Sequence, residues 1–200
     1  MTTWVEVPGG GRDRGLRAVA RAWFEVLVRP HNFFRAAVAP GDQAPGLTFA
    51  MAVVLVEEAS RLALAPGAVP ALTGSRAVSA VITVAVAVLI VTPAALHLVA
   101  AIQTLPLMVL ADERAGISET VQVLAYAAAP CALAGVPIPG VRIVATAYGA
   151  VLLVVGLSVV HGIGSRRAAV AGAIPAVIVF GYGFRGFAAL ATLLTRWYVI

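Results

Sequence analysis

The sequence predicts an all-α protein, a polytopic membrane bundle of about five transmembrane helices with an N-terminal amphipathic interfacial helix. Three observations carry this. Of 200 residues, 61% are hydrophobic and only 12% are charged, with a mean hydropathy of +0.98. An ordinary soluble domain holds about 25% charged residues, and one of this size needs a polar shell. Apolar runs of bilayer length recur, separated by Pro-Gly and charged breaks. The charges collect before the first run and in the breaks. Together these exclude a soluble globular domain, and a disordered chain would have the opposite composition.

The net charge is +5, and all 14 basic residues are arginine. In so apolar a chain, that balance points to anionic lipid headgroups and away from nucleic acid. The single cysteine, Cys131, leaves no internal disulfide and no cysteine metal site. No cofactor, metal-ligand array, phosphate-binding loop or catalytic triad is expected. The polar, Gly-rich first 15 residues do not read as a signal peptide.

Residues 1–44 form a polar N-terminal segment, and residues 45–200 form the transmembrane domain. Leu16, Val19, Ala20, Trp23, Val26 and Leu27 recur on one helical face, and Arg14, Arg17 and Arg21 on another. Pro30 stops that helix. Phe33, Phe34, Ala37 and Val38 form a second apolar piece, closed by Pro40 and Gly41. The expectation is an interfacial helix, with Arg14, Arg17 and Arg21 on lipid phosphates and Trp23, Phe33 and Phe34 in the headgroup layer.

The five spans are expected at residues 47–65, 79–100, 118–134, 141–160 and 168–187. The apolar run at 77–110 is too long for one upright span, so 101–110 reads as a tilted or interfacial extension, with Pro93 as a kink site. Asp112, Glu113 and Arg114 mark a wet loop. Glu119 lies in the first turn of the third span, where it favours the helix dipole. The stretch Pro137-Ile138-Pro139-Gly140 reads as a turn, and Arg196, Trp197 and Tyr198 as an interface anchor after the fifth span.

Five spans put the termini on opposite sides, and arginines choose the orientation. With the N-terminus inside, the inner segments hold nine: Arg12, Arg14, Arg17, Arg21, Arg29, Arg35, Arg114, Arg166 and Arg167. The outer half holds five: Arg61, Arg76, Arg142, Arg185 and Arg196. The expected setting is the cell membrane with a cytoplasmic N-terminus.

Glu57, Glu58 and Arg61 break the apolar pattern from inside the first span. Intramembrane charges are costly and mark either function or an ion pair. Glu57 and Arg61 stand at i, i+4 and Glu58 and Arg61 at i, i+3, so one face can pair them. Two readings follow: a structural pair facing the bundle, or a proton or ion site of a small transporter or channel. A remote third is a glutamate-type intramembrane protease. That class has three residues between Glu-Glu and Arg, whereas here Ala59 and Ser60 are two, and neither His97 nor His161 has Asn or Asp four residues on. Gly181-Tyr182-Gly183-Phe184-Arg185-Gly186 matches the dinucleotide pattern in letters but lies in an apolar helix with no acid downstream. Its glycines read as packing positions or a loosened helix end. Ala145, Gly149 and Gly156 share a small-residue face suited to close helix approach.

Several landmarks then line up. Val28-Arg29-Pro30-His31-Asn32-Phe33-Phe34 precedes the first span. Glu119-Thr120, Ala125-Tyr126-Ala127 and Pro130 mark the third, and Pro137 to Gly140 turns into the fourth. Tyr148, Gly156-Leu157, His161 and Pro175 follow. In this pattern, over residues 28–182, the chain resembles the YIP (Ypt/Rab-interacting-protein) family in its prokaryotic form. The resemblance implies a five-helix membrane domain with a cytosolic N-terminus. Eukaryotic members act in vesicle traffic and bind small GTPases and one another. Their Asp-Leu-Tyr-Gly-Pro stretch is absent here, since no Asp-Leu occurs in the chain.

The resulting expectation is a non-enzymatic membrane protein that organises the bilayer or binds partners, among them copies of itself. Tyr126, Pro130, Pro137, Pro139, Gly140, Gly149 and Gly156 are expected as structural determinants, and Glu57, Glu58 and Arg61 as the charged cluster.

Overall fold

A computed structural model describes residues 15–198, and among these the fold is helical with no strand. Arg12 and Arg14 lie outside the described residues. The helices are α1 (Leu16–Val28), α2 (Pro30–Ala37), α3 (Ala44–Leu64), α4 (Arg76–Leu110), α5 (Ile117–Ala127), α6 (Pro139–Val160), α7 (Ser165–Ala176) and α8 (Gly186–Tyr198). Their ends follow local chemistry. Pro30 and Pro139 sit in the first turns of α2 and α6, where a missing N–H costs nothing. The Ser75 hydroxyl accepts from the Val78 amide and caps α4.

Two helices, Arg76–Leu110 and Pro139–Val160, are long and apolar enough to cross a membrane unbroken. Two more crossings are available if each bent pair counts as one span. α3 spans 21 residues but carries Glu57, Glu58 and Arg61 and so falls outside the apolar set. The five expected spans thus become two unbroken helices, two broken ones and one charged helix.

The differences have physical causes. α4 is one helix of 35 residues, about 52 Å at 1.5 Å per residue, against a hydrocarbon core of about 30 Å. The expected extension at 101–110 is continuous with the span. Where Pro93 predicts a kink, a π-helical stretch at Ala87–Val91 widens the helix just before it. The Thr92 hydroxyl bonds the Ala87 carbonyl there at 2.8 Å. The third span is not one rod: α5 continues as a 3₁₀ segment, Ala129–Gly135, bent by 45°, and Pro130 lies at its start. The fourth begins at Pro139, so Pro139 and Gly140 belong to the helix and the turn lies before them. The fifth passes from α7 through a π-helical stretch, Val177–Gly183, which follows Pro175, and then breaks with a 66° bend into α8. The tail carrying Arg196 and Trp197 is therefore the helix α8.

α5 and its 3₁₀ continuation form the centre of the bundle. Residues 120–135 are all buried except Leu133, with α3, α4 and α6 packed around them. Tyr126 is fully buried and meets Phe33 and Phe49 edge-on at 4.9 and 5.2 Å.

The N-terminal helices pack on the bundle. α1 and α2 bury Ala18, Ala22, Val26, Phe33, Phe34 and Ala37 against the bundle. The Trp23 indole donates to the Ala129 carbonyl at 2.9 Å, and the Tyr148 hydroxyl donates to the Leu27 carbonyl. Phe33 and Phe34 are therefore buried against protein, and Trp23 is half-buried with its indole N–H on the bundle. The amphipathic face was legible, and the bundle meets it with the Ala129 carbonyl and an aromatic cluster. Arg17 and Arg21 point outward beside exposed Leu16 and Phe24. The Gln122 amide secures the following linker, accepting from the Ala39 amide at 3.1 Å and donating to its carbonyl at 2.7 Å.

Candidate functional site

Glu57 and Glu58 lie in the second half of α3 and are 2% and 9% exposed. Burial of two adjacent carboxylates is costly unless they meet opposite charges or take up a proton. Arg61, one turn on, donates to one Glu58 oxygen through Nε at 3.0 Å and Nη2 at 2.6 Å. Arg185 donates through Nη1 to the other Glu58 oxygen at 3.2 Å and pairs through Nη2 with Glu57. Two carboxylates and two guanidiniums thus form one chain of ion pairs. The i, i+3 pairing of Glu58 with Arg61 forms, whereas Glu57 takes a partner 128 positions away.

Sequence reasoning missed Arg185 by placing it in an outer segment. It occupies the break between the π-helical stretch and α8, with φ of 61°, a left-handed backbone unusual for a side-chain-bearing residue. The neighbouring glycines make the break possible. A Cβ at Gly186 would stand 2.6 Å from the Phe180 carbonyl oxygen, and one at Gly181 would stand 2.4 Å from the Phe187 ring. The dinucleotide-like hexapeptide is therefore a helix break that turns an arginine inward. Its readable signal was an arginine set among three glycines in an apolar run.

The 3₁₀ segment crosses α3 at the same level. A Cβ at Gly135 would fall 2.1 Å from both the Glu57 carbonyl oxygen and the Ser60 hydroxyl, so no side chain fits. Arg142, at the start of α6, donates to the Ala134 carbonyl at 2.8 Å. Glu57 and Glu58 also line a mostly apolar cavity of about 230 Å³ with Val54, Thr92, Val99 and Phe184. Neither His97 nor His161 lines this cavity. His97 contacts the Pro93 carbonyl at 2.7 Å and the Gln43 side chain at 2.9 Å, while His161 contacts Thr120 at 3.4 Å. Among the described residues, no group of three His, Cys, Asp or Glu could hold a metal ion.

The remaining marked residues lie apart from the charges. A Cβ at Gly149 would stand 2.5 Å from Phe180, and one at Gly156 would stand 2.7 Å from Val123 and 2.9 Å from Phe34. Pro130 is buried, and Pro137 is exposed in the turn before α6.

The fold and the charge network define an all-helical membrane protein whose intramembrane charges are paired within it. A family model of the Yip1 domain matches residues 24–185. The chain belongs to the YIP family, and the match ends on Arg185, the residue that closes the ion-pair chain. No curated protein and no solved structure matches it.

Proposed function

We propose that this chain is a non-enzymatic membrane protein that organises the bilayer or binds membrane partners, copies of itself among them, through its packed helical body. The observation that carries the reading is the ion-pair chain. Arg185 answers Glu57, and Glu58 answers both arginines, so the charges join α3 to the α7–α8 break. Charge consumed in this way serves as a structural fastening.

The second reading is a small transporter or channel using Glu57, Glu58 and Arg61, and the cavity beside both carboxylates favours it. Proteoliposomes separate the two. A fastening predicts no proton or ion flux above empty vesicles in the native protein. Flux that disappears when Glu57, Glu58 and Arg61 are replaced in a folded variant would establish transport instead.

The inside N-terminus is also part of this proposal. Arg61 and Arg185 are engaged by buried carboxylates, so they are poor orientation signals, and the outer count falls from five to three. The nine inner arginines then dominate more clearly. Arg17 and Arg21, with Arg14 beyond the described residues, remain candidates for phosphate contact.

A further inference from the structure

The cavity beside the ion-pair chain presents an acceptor without a donor. Both oxygens of Glu58 are taken, one by Arg61 and one by Arg185. Glu57 gives Oε1 to Arg185, and its Oε2 meets no donor among the described residues. Glu57 is only 2% exposed, yet Oε2 is not sealed in packing as Arg185 Nε is, and Glu57 lines the cavity. A buried acceptor is costly to leave unpaired.

Beyond Thr92 and the carboxylates the wall is apolar, and both π-helical stretches border it. Ala87 and Val91 come from the stretch in α4, and Ile178 and Gly183 from the stretch after α7. Such stretches are frequent at functional sites. Val91 and Ala95 line the cavity yet lie exposed on α4, a helix apolar enough to cross a membrane, so the mouth opens onto hydrocarbon. At about 230 Å³ the space exceeds an apolar cavity of about 150 Å³ that stays dry and takes a benzene molecule.

Charge decides the occupant. Two carboxylates and two guanidiniums already cancel, so a charged head would enter a low-dielectric site without compensation. An anion would also face Glu57 Oε2, and a cation would be repelled by Arg142, which stands near the same cluster. What fits is an uncharged head with a proton to give to Oε2, carried on an aliphatic body that suits the wall and the mouth.

We propose that this cavity binds the free hydroxyl of an uncharged membrane lipid, a long-chain alcohol or a diacylglycerol. The hydroxyl donates to Glu57 Oε2, and the chain leaves past Val91 and Ala95 into the bilayer. This rests on the reading of the charges as paired, which the flux and melting measurements address separately. Failure of binding alone leaves the fastening intact.

The test uses the purified full chain, immobilised in micelles of an amine-oxide detergent, which has no hydroxyl. Binding of tritiated dodecanol is read by scintillation proximity, with unlabelled ligands as competitors. Dodecanol should compete about tenfold better than dodecyl methyl ether, the scale of one hydrogen bond to a charged group. It should also compete better than dodecylamine or dodecanoate. Dioctanoylglycerol competing at least as well as dodecanol assigns the site to diacylglycerol, and weaker competition assigns it to single-chain alcohols. In Glu57→Gln the amide can donate to alcohol and ether alike, so their ratio should fall near one. Ala95→Trp, at the exposed rim, should melt like the native protein and lose bound dodecanol. Should Glu57→Gln fail to fold, Ala95→Trp and the native ratio still decide. Equal competition by alcohol and ether in the native chain, stronger competition by the amine or the carboxylate, or undiminished binding in folded Ala95→Trp would overturn the proposal.

Discussion

At the residue scale, the decisive group is Arg185. It answers both buried carboxylates, so Arg185→Gln strands Glu57 without its cation. The expected cost is about 3–5 kcal/mol, the scale for removing one partner of a buried pair, seen as a lowered melting temperature in detergent. The glycines make a steric prediction. Gly135→Ala places a methyl on backbone at 2.1 Å and should prevent normal folding, whereas Gly140→Ala, with nothing within 4 Å, should be neutral in the same melt. His161, just past the end of α6, makes a pH prediction. Burial lowers its pKa from 6.5 to about 4, so as pH falls the unfolded chain takes up the proton first. Its contribution is complete above about pH 6.5 and is lost as pH falls toward 4. Melting temperatures measured across that window should decline, and His161→Gln should flatten the decline. Glu57, Glu58 and Arg61 were legible because charge inside an apolar run stands out. Arg185 was not, because its inward turn depends on a left-handed residue between glycines, which sequence periodicity does not register.

At the element scale, composition and proline positions were informative about where helices run and less so about how they bend. The helices near 47–65 and 141–160 fall close to α3 and α6. The third and fifth expected spans are broken, and the prolines that mark them, Pro130 and Pro175, could be read as either kinks or breaks. Tertiary packing decides between these, and no local pattern states it. The N-terminal piece shows the same limit. The apolar face of α1 is plain in the sequence, but its docking on Ala129 and Tyr148 depends on residues more than 100 positions away. Tyr148→Phe removes the hydroxyl that holds the Leu27 carbonyl. It should cost about 1 kcal/mol and make α1 exchange amide hydrogens faster than α6, as mass spectrometry would show.

At the scale of the whole molecule, the chain is a helical membrane protein of the YIP family, for which we propose an internal fastening by ion pairs and an N-terminus held inside by the arginines. Orientation is open to labelling because the chain's single cysteine, Cys131, is buried. Cysteines introduced at Asp112 and at Arg76 should be labelled from opposite sides of sealed vesicles. Labelling from the same side would refute the assignment of α4 as a crossing. The central claim is that the buried charges are a fastening, and one comparison of thermal stability reaches it most directly. Native protein, Glu57→Gln, and a variant with Glu57, Glu58, Arg61 and Arg185 all replaced by leucine or methionine would be melted side by side in the same micelles. The account predicts that the single variant melts well below the native protein and that the fully apolar variant recovers most of the loss. A single variant as stable as the native protein, or a fully apolar variant that is folded yet no more stable than the single one, would contradict it.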